Sequence, residues 1–176
     1  GADVASALFV FSRERALVAT TGGLLEVELV GASSTEVDAH AFTSLAGDVV
    51  TGVGYAGNAM GVWASSGQSW APLAGAPQQV VGLDVAGSVL WAVTADGTIA
   101  RRADSTWQRQ SLATELTTVV ALSATEALVF GVQSRPNGLV SEELAEVPAR
   151  VTRGRLHGDE VWVVGHDLAI LRFSVR

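Results

Sequence analysis

An all-β fold, a five-bladed β-propeller of short four-stranded antiparallel blades, is predicted by two observations. Five apolar or β-branched runs recur at intervals averaging 36 residues, and each leads into a glycine-containing or polar turn. The composition agrees. Glycine contributes 19 of 176 residues, hydrophobic residues 48% and charged residues only 16%, a mixture suited to short strands, tight turns and one buried core.

The runs are Leu17-Val18-Ala19-Thr20, Val50-Thr51-Gly52-Val53, Leu90-Trp91-Ala92-Val93, Val129-Phe130-Gly131-Val132 and Val161-Trp162-Val163-Val164. Aligned, they put Ala19, Gly52, Ala92, Gly131 and Val163 in one column, with separations of 33, 40, 39 and 32. Each is the second strand of its blade. The turns that follow are Thr21-Gly22-Gly23, Ala56-Gly57-Asn58, Asp96-Gly97, Pro136-Asn137-Gly138 and His166-Asp167, in which glycine accepts positive φ without a steric cost.

Third strands are expected at Leu24 to Leu29, Ala59 to Trp63, Thr98 to Arg102, Leu139 to Glu143 and Leu168 to Phe173. First strands are expected at Ala5 to Phe11, Ala41 to Leu45, Val80 to Val85, Leu116 to Leu122 and Val151 to Leu156. Outer strands, short and polar as edges tend to be, fall at Glu36-Val37-Asp38, Trp70 to Leu73, Trp107 to Leu112 and Glu146 to Arg150. The result is one domain over 1–176 with repeats at 4–38, 39–76, 77–112, 113–150 and 151–176. The fifth repeat ends after its third strand, so its outer strand is absent, supplied by missing sequence or supplied by another chain. A two-sheet β-sandwich is the other fold this strand rhythm admits.

With a net charge of −7 and no lysine, the chain on average repels a phosphate backbone or an anionic membrane surface, which argues against nucleic-acid partners. Its apolar runs are too short to insert as membrane-spanning helices. The absence of cysteine removes disulfides and thiolate metal cages. The start at Gly1-Ala2-Asp3 without methionine fits a processed chain, a cut one or an excised domain.

Two hairpins, Ser65-Ser66-Gly67-Gln68-Ser69-Trp70 and Ala103-Asp104-Ser105-Thr106-Trp107, stand 37 residues apart at their tryptophans. This pattern resembles the Asp-box, or bacterial neuraminidase repeat, and the related photosystem-assembly-factor propellers. The first hairpin has Ser65 in place of the aspartate, and the second has Asp104 in place of the glycine. The resemblance implies a bacterial, extracytoplasmic propeller in which Gly67 shapes its turn and Trp70 and Trp107 pack each hairpin on its neighbour. Trp91 and Trp162, inside second strands, are further structural residues.

Chemistry-bearing motifs are sparse. A sialidase-like site needs an arginine cluster, a tyrosine nucleophile with a glutamate partner and an aspartate acid/base; Tyr55 is the single tyrosine, and five short blades are fewer than the six such enzymes resemble. Arg101, Arg102 and Arg109, or Arg150, Arg153 and Arg155, could grip an anion, but read as solvated strand faces paired with nearby acids. His40, His157 and His166 have no metal-ligand spacing. Gly52-Val53-Gly54-Tyr55-Ala56-Gly57 matches a dinucleotide-binding string, yet runs into a strand rather than a helix. No cofactor, metal or catalytic residue is therefore expected.

What remains is a face of loops. Turns between second and third strands converge on one rim, carrying Tyr55, Asn58, Asp96, Arg135, Asn137, His166 and Asp167 as the binding residues expected from sequence. The function this supports is a non-catalytic binding or scaffolding propeller for a protein or polymer. Alternatives are a carbohydrate-binding lectin and a glycoside-processing or lyase-type enzyme. The open C-terminal edge adds a strand-donating partner or a homo-oligomer to the expected partners.

Overall fold

The computed structural model describes residues 3–66, 69–112, 114–131, 136–138, 151–165 and 170–174. Their strands form five antiparallel meander sheets. The first contains β1 (Ala5–Val10), β2 (Arg15–Thr20), β3 (Leu24–Glu28) and β4 (Ser33–Asp38). The second contains β5 (Ser44–Asp48), β6 (Val53–Asn58), β7 (Gly61–Ser66) and β8 (Ser69–Pro72). β9 (Val80–Ala86), β10 (Val89–Thr94), β11 (Thr98–Ala103) and β12 (Thr106–Ser111) form the third. β13 (Leu116–Ala121), β14 (Ala127–Gly131) and β15 (Pro136–Gly138) form the fourth, and β16 (Val151–His157), β17 (Glu160–Gly165) and β18 (Ile170–Ser174) the fifth. No helix of the described chain is long and apolar enough to cross a membrane.

The chain divides into two compact units, Gly1–Val80 and Val81–Arg176. In the first, Leu17, Ala19 and Leu24 of the first sheet pack on Phe42, Ala56 and Trp63, with Phe42 and Trp63 edge to face at 5.3 Å. The two sheets approach closely at Gly47, where a β-carbon would stand 2.6 Å from Phe9 and 2.7 Å from Phe11. Only glycine leaves room for both rings.

Two layers of core fill the second unit. Trp91, Val93 and Ile99 of the third sheet meet Val119, Ala121, Ala127 and Val129 of the fourth. On its opposite face the fourth sheet sends Val120, Leu128 and Phe130 against Val151, Val161 and Val163 of the fifth. Alternate residues of one strand thus serve neighbouring layers, which is why the fourth sheet reads as continuous apolar runs.

A recurring hydroxyl ties the layers together. Ser6 Oγ lies 3.2 Å from the Ala19 carbonyl and 2.6 Å from that of Phe42. Thr43 Oγ1 reaches the carbonyls of Gly57 at 3.2 Å and Val80 at 3.1 Å. Thr117 Oγ1 reaches Phe130 at 3.2 Å and Val151 at 2.6 Å, and Thr152 Oγ1 reaches Val164 at 3.1 Å. Each hydroxyl therefore presents its proton to a carbonyl of its own sheet, and the first three also to one at the start of the next repeat.

This contact corrects the alignment. With Val93, which like Ala19 opposes the first residues of its third strand, the equivalent column is Ala19, Gly57, Val93, Phe130 and Val164, separated by 38, 36, 37 and 34 residues. The sequence alignment used Gly52 in the second repeat and a residue one place away in the next three. A one-residue slip moves every side chain to the opposite face.

The second repeat departs furthest from expectation. Val50-Thr51-Gly52-Val53 is not a buried strand: residues 49–52 are the β5–β6 turn, and Val50 is 90% exposed. Asp48 accepts from Val50 N at 2.9 Å and Thr51 Oγ1 at 2.7 Å, while Gly52 takes a φ of 73°. Side-chain capping and a left-handed glycine override the β propensity of the valines. Ala56, Gly57 and Asn58, expected as a turn, finish β6 instead.

Pro136, Asn137 and Gly138 were likewise expected as a turn and form β15, opposite Phe130, Val129 and Leu128. Proline opens that strand, a position where its missing N–H is tolerated. The outer strand expected at 146–150 lies outside the described residues, as do the third-strand residues 139–143.

Candidate ligand cleft

The expected rim residues occupy varied places. Tyr55 is half-buried in the middle of β6. Asn58 is buried at the end of the same strand, where Nδ2 donates to the Ala41 carbonyl at 3.0 Å and Oδ1 accepts from Met60 N at 2.8 Å. Its groups are engaged in holding the chain. Asp96 is exposed in the β10–β11 turn, accepting from Thr94 Oγ1 and from Thr98 N, and the Thr94 hydroxyl holds its carboxyl below the usual range. Asn137 lies in β15, opposite Val129 of β14. Arg135, His166, Asp167 and Gly67, the last expected to shape its turn, lie outside the described residues.

The structural tryptophans divide. Trp91 is buried; Trp70 is half-buried against the core of the first unit; Trp107 is half-buried on β12; Trp162 is exposed on β17. Arg102 and Trp107 face each other across β11 and β12, and Arg102 Nε and Trp107 Nε1 are buried without a hydrogen-bond partner among the described residues. Arg102 as a whole is half-buried, so part of it stays open to solvent as expected while its Nε lies inside.

A different constellation forms a cleft. Trp91, Arg101 and Gln108 oppose one another across β10, β11 and β12, and Ile99 opposes Gln110 in the next row but one. With Arg109 and Thr125 they line a cleft of about 280 Å³ within the second unit. Its far wall is the β13–β14 turn, held because Ser123 Oγ accepts from Thr125 N at 3.1 Å and Glu126 N at 3.0 Å. Trp91 Nε1 donates to the Ser123 carbonyl at 3.2 Å, and Arg101 Nε to the Ala124 carbonyl at 2.6 Å.

Arg101 is fixed from three sides. Besides Ala124, its Nη1 donates to Gln108 Oε1 at 2.9 Å, and its guanidinium carbon lies 5.9 Å from the Trp91 ring centre. This preorganises a positive charge at the cleft wall. Two guanidinium groups and two carboxamides line the cleft and, among the described residues, no carboxylate does, in a chain of net charge −7. The chemistry suits an acceptor-bearing ligand. No group of three or more metal-ligating side chains occurs among the described residues.

No protein-family model and no curated protein matches the chain. Solved structures do. The WD40 β-propeller domain of Doa1 aligns with a TM-score of 0.79 at 10% identity, covering 98% of this chain and 65% of that one. The β-propeller domain of Cps50 (Swd1) from Myceliophteria thermophila aligns with a TM-score of 0.74 at 14% identity, covering 99% of this chain and 66% of that one. The chain is therefore all-β and of the β-propeller class, with five sheets in the place of blades. It spans about two thirds of the length of these two domains.

Proposed function

We propose that this chain is a non-catalytic binding module and that its third sheet receives an acidic peptide segment of a protein partner. The observation that carries this is the lining of the cleft: Arg101 and Arg109 with Gln108 and Gln110, and no acid among the described lining residues. At about 280 Å³ the space suits one or two side chains more than a whole small-molecule substrate. A carboxylate entering it would meet a guanidinium already oriented by Trp91, Gln108 and the Ala124 carbonyl. A sugar would find no stacking platform, because the Trp91 ring is buried.

The test is fluorescence anisotropy with labelled hexaglutamate, hexaglutamine and hexalysine peptides at low and moderate salt. The expected outcome is preference for hexaglutamate, weakened by salt, with affinity reduced at least about tenfold by the double change Arg101→Gln and Arg109→Gln. Equal binding of hexaglutamine, or an unchanged affinity in the double variant, would overturn the reading.

A further inference from the structure

We infer that Asp84 is a positioning residue for the cleft: its carboxylate fixes the β13–β14 turn that forms the far wall, and through that wall sets the affinity for an acidic segment. The inference rests on the peptide-binding reading of the cleft. It begins with a row of side chains across the third sheet. Trp91, Arg101 and Gln108 oppose one another on β10, β11 and β12. On β9, a β-carbon at Gly82 would stand 2.9 Å from Val93 Cγ2, which puts Gly82 beside Val93. Only Gly87 and Ser88 join β9 to β10, so the two strands run antiparallel and Asp84 falls beside Trp91 in the same row.

Three members of that row reach the same turn. Asp84 Oδ2 accepts from Ala121 N at 2.8 Å, Trp91 Nε1 donates to the Ser123 carbonyl at 3.2 Å, and Arg101 Nε donates to the Ala124 carbonyl at 2.6 Å. The first bond holds the chain where β13 ends, and the other two hold the turn that leaves it. Arg101 is thus aimed by a carbonyl on the stretch of chain that Asp84 anchors. A shift of that stretch releases the guanidinium from the orientation in which it meets a carboxylate.

Only the ionised carboxyl serves both of its donors. Oδ1 accepts from Val85 N at 2.9 Å while Oδ2 takes Ala121 N, so each oxygen faces a backbone N–H. Protonation puts an O–H among those donors, with its own need of an acceptor, and replaces a charge-assisted bond by a weaker neutral one. The side chain is half-buried, and loss of water around it, opposed by its two hydrogen bonds and by Arg155, lifts the carboxyl to about 6. β10 and β13 bring no titratable side chain towards it. β16 carries Arg153, Arg155 and His157, of which Arg155 acts on Asp84, and the turn carries Glu126, which is exposed. Asp84 lies two strands from Arg101, about 10 Å at the spacing of a sheet. Arg155 offsets its charge, so direct repulsion of an acidic ligand is the lesser effect.

Hexaglutamate anisotropy between pH 5.5 and 8 tests this in the wild type and in Asp84→Asn, which offers one acceptor oxygen in place of two. At pH 5.5 about one quarter of wild-type molecules keep the carboxylate, so Kd is expected to rise about fourfold from its value at pH 8. Asp84→Asn is expected to bind several-fold more weakly than the wild type at pH 8. Titration of the peptide itself is common to both proteins and cancels in the ratio of their Kd values. A ratio that stays constant over the range overturns the inference. So does tighter binding by Asp84→Asn at pH 8, the sign that charge repulsion alone would give. Hydrogen exchange at the Ala121 amide is the second measurement, expected to be faster in Asp84→Asn at pH 8, and unchanged exchange also counts against the inference. A wild-type chain that binds no hexaglutamate at any pH sinks the peptide reading itself; the hold of Asp84 on the turn then stands or falls by the exchange.

Discussion

The side chains that hold successive layers together are small. Thr117 has one proton placed between carbonyls of β14 and β16, a polar contact at an otherwise apolar seam. Replacing it by valine keeps the shape and removes the donor, so Thr117→Val is expected to destabilise the chain by about 1 kcal/mol in urea denaturation. The third repeat has Val81 at this place and fastens itself differently: Asp84 accepts from Ala121 N at 2.8 Å and Val85 N at 2.9 Å. Burial, opposed by those two bonds and by the charge of Arg155, pushes the Asp84 carboxyl up to about 6. Because the folded value lies above the unfolded one of 3.8, the folded state binds the extra proton between them. Asp84 therefore contributes stability that is present below about pH 4 and lost as pH rises through about 6, at most about 3 kcal/mol over the window. Urea midpoints measured from pH 4 to 7 should fall through this window in the wild type and fall less in Asp84→Asn. Equal slopes in the two would dismiss the assignment.

At the scale of elements, the strands are legible where an apolar run ends in a short turn, as with β10 and β11 around Ala95-Asp96-Gly97. They were misread where turn chemistry sits inside an apolar run. Val49 and Val50 look like strand, but Asp48 and Gly52 bracket them with the cap and the positive φ of a tight connection. Gly52→Ala should therefore cost about 1 kcal/mol, whereas Val50→Asn should change stability by less than about 0.5 kcal/mol. The β11–β12 hairpin offers the reverse case. Asp104 and Ser105 both take positive φ, at 47° and 68°, the geometry that favours Asn-Gly. Ser105→Gly is expected to raise the thermal midpoint through a gain of up to about 1 kcal/mol. The cleft was only partly legible. Arg101 and Arg109 drew notice as cations, yet what orients Arg101 is the turn at Ser123 to Thr125, more than twenty residues away, and spacing along the chain does not report such a contact. The hydroxyl column was present in the sequence as Ser6, Thr43, Thr117 and Thr152. A single hydroxyl per repeat gives a weaker periodic signal than the apolar run beside it, and its bridging role depends on carbonyls more than thirty residues away.

Across the whole molecule, stability in stacked repeats is close to a sum of local terms, each sheet answering chiefly to those it packs against. The described core clusters follow that rule: one lies wholly within Gly1–Val80 and two lie wholly within Val81–Arg176. Leu17 belongs to the former and Phe130 to the latter, and both are fully buried. Truncation of either to alanine should cost about 2–5 kcal/mol, the range set by how far the surroundings close on the cavity. The distribution of that loss is more informative than its size. Hydrogen exchange followed by mass spectrometry should show Leu17→Ala lowering protection most in β1 to β8, and Phe130→Ala lowering it most in β13, β14, β16 and β17. A uniform loss of protection over all the sheets in both variants would mean that the chain opens as one cooperative block, and that sheet-by-sheet additivity does not describe it. Local loss would mean that a ligand held at the third sheet protects its own layers first, so the peptide proposed for the cleft should slow exchange most strongly in β10 to β12 and in the β13–β14 turn.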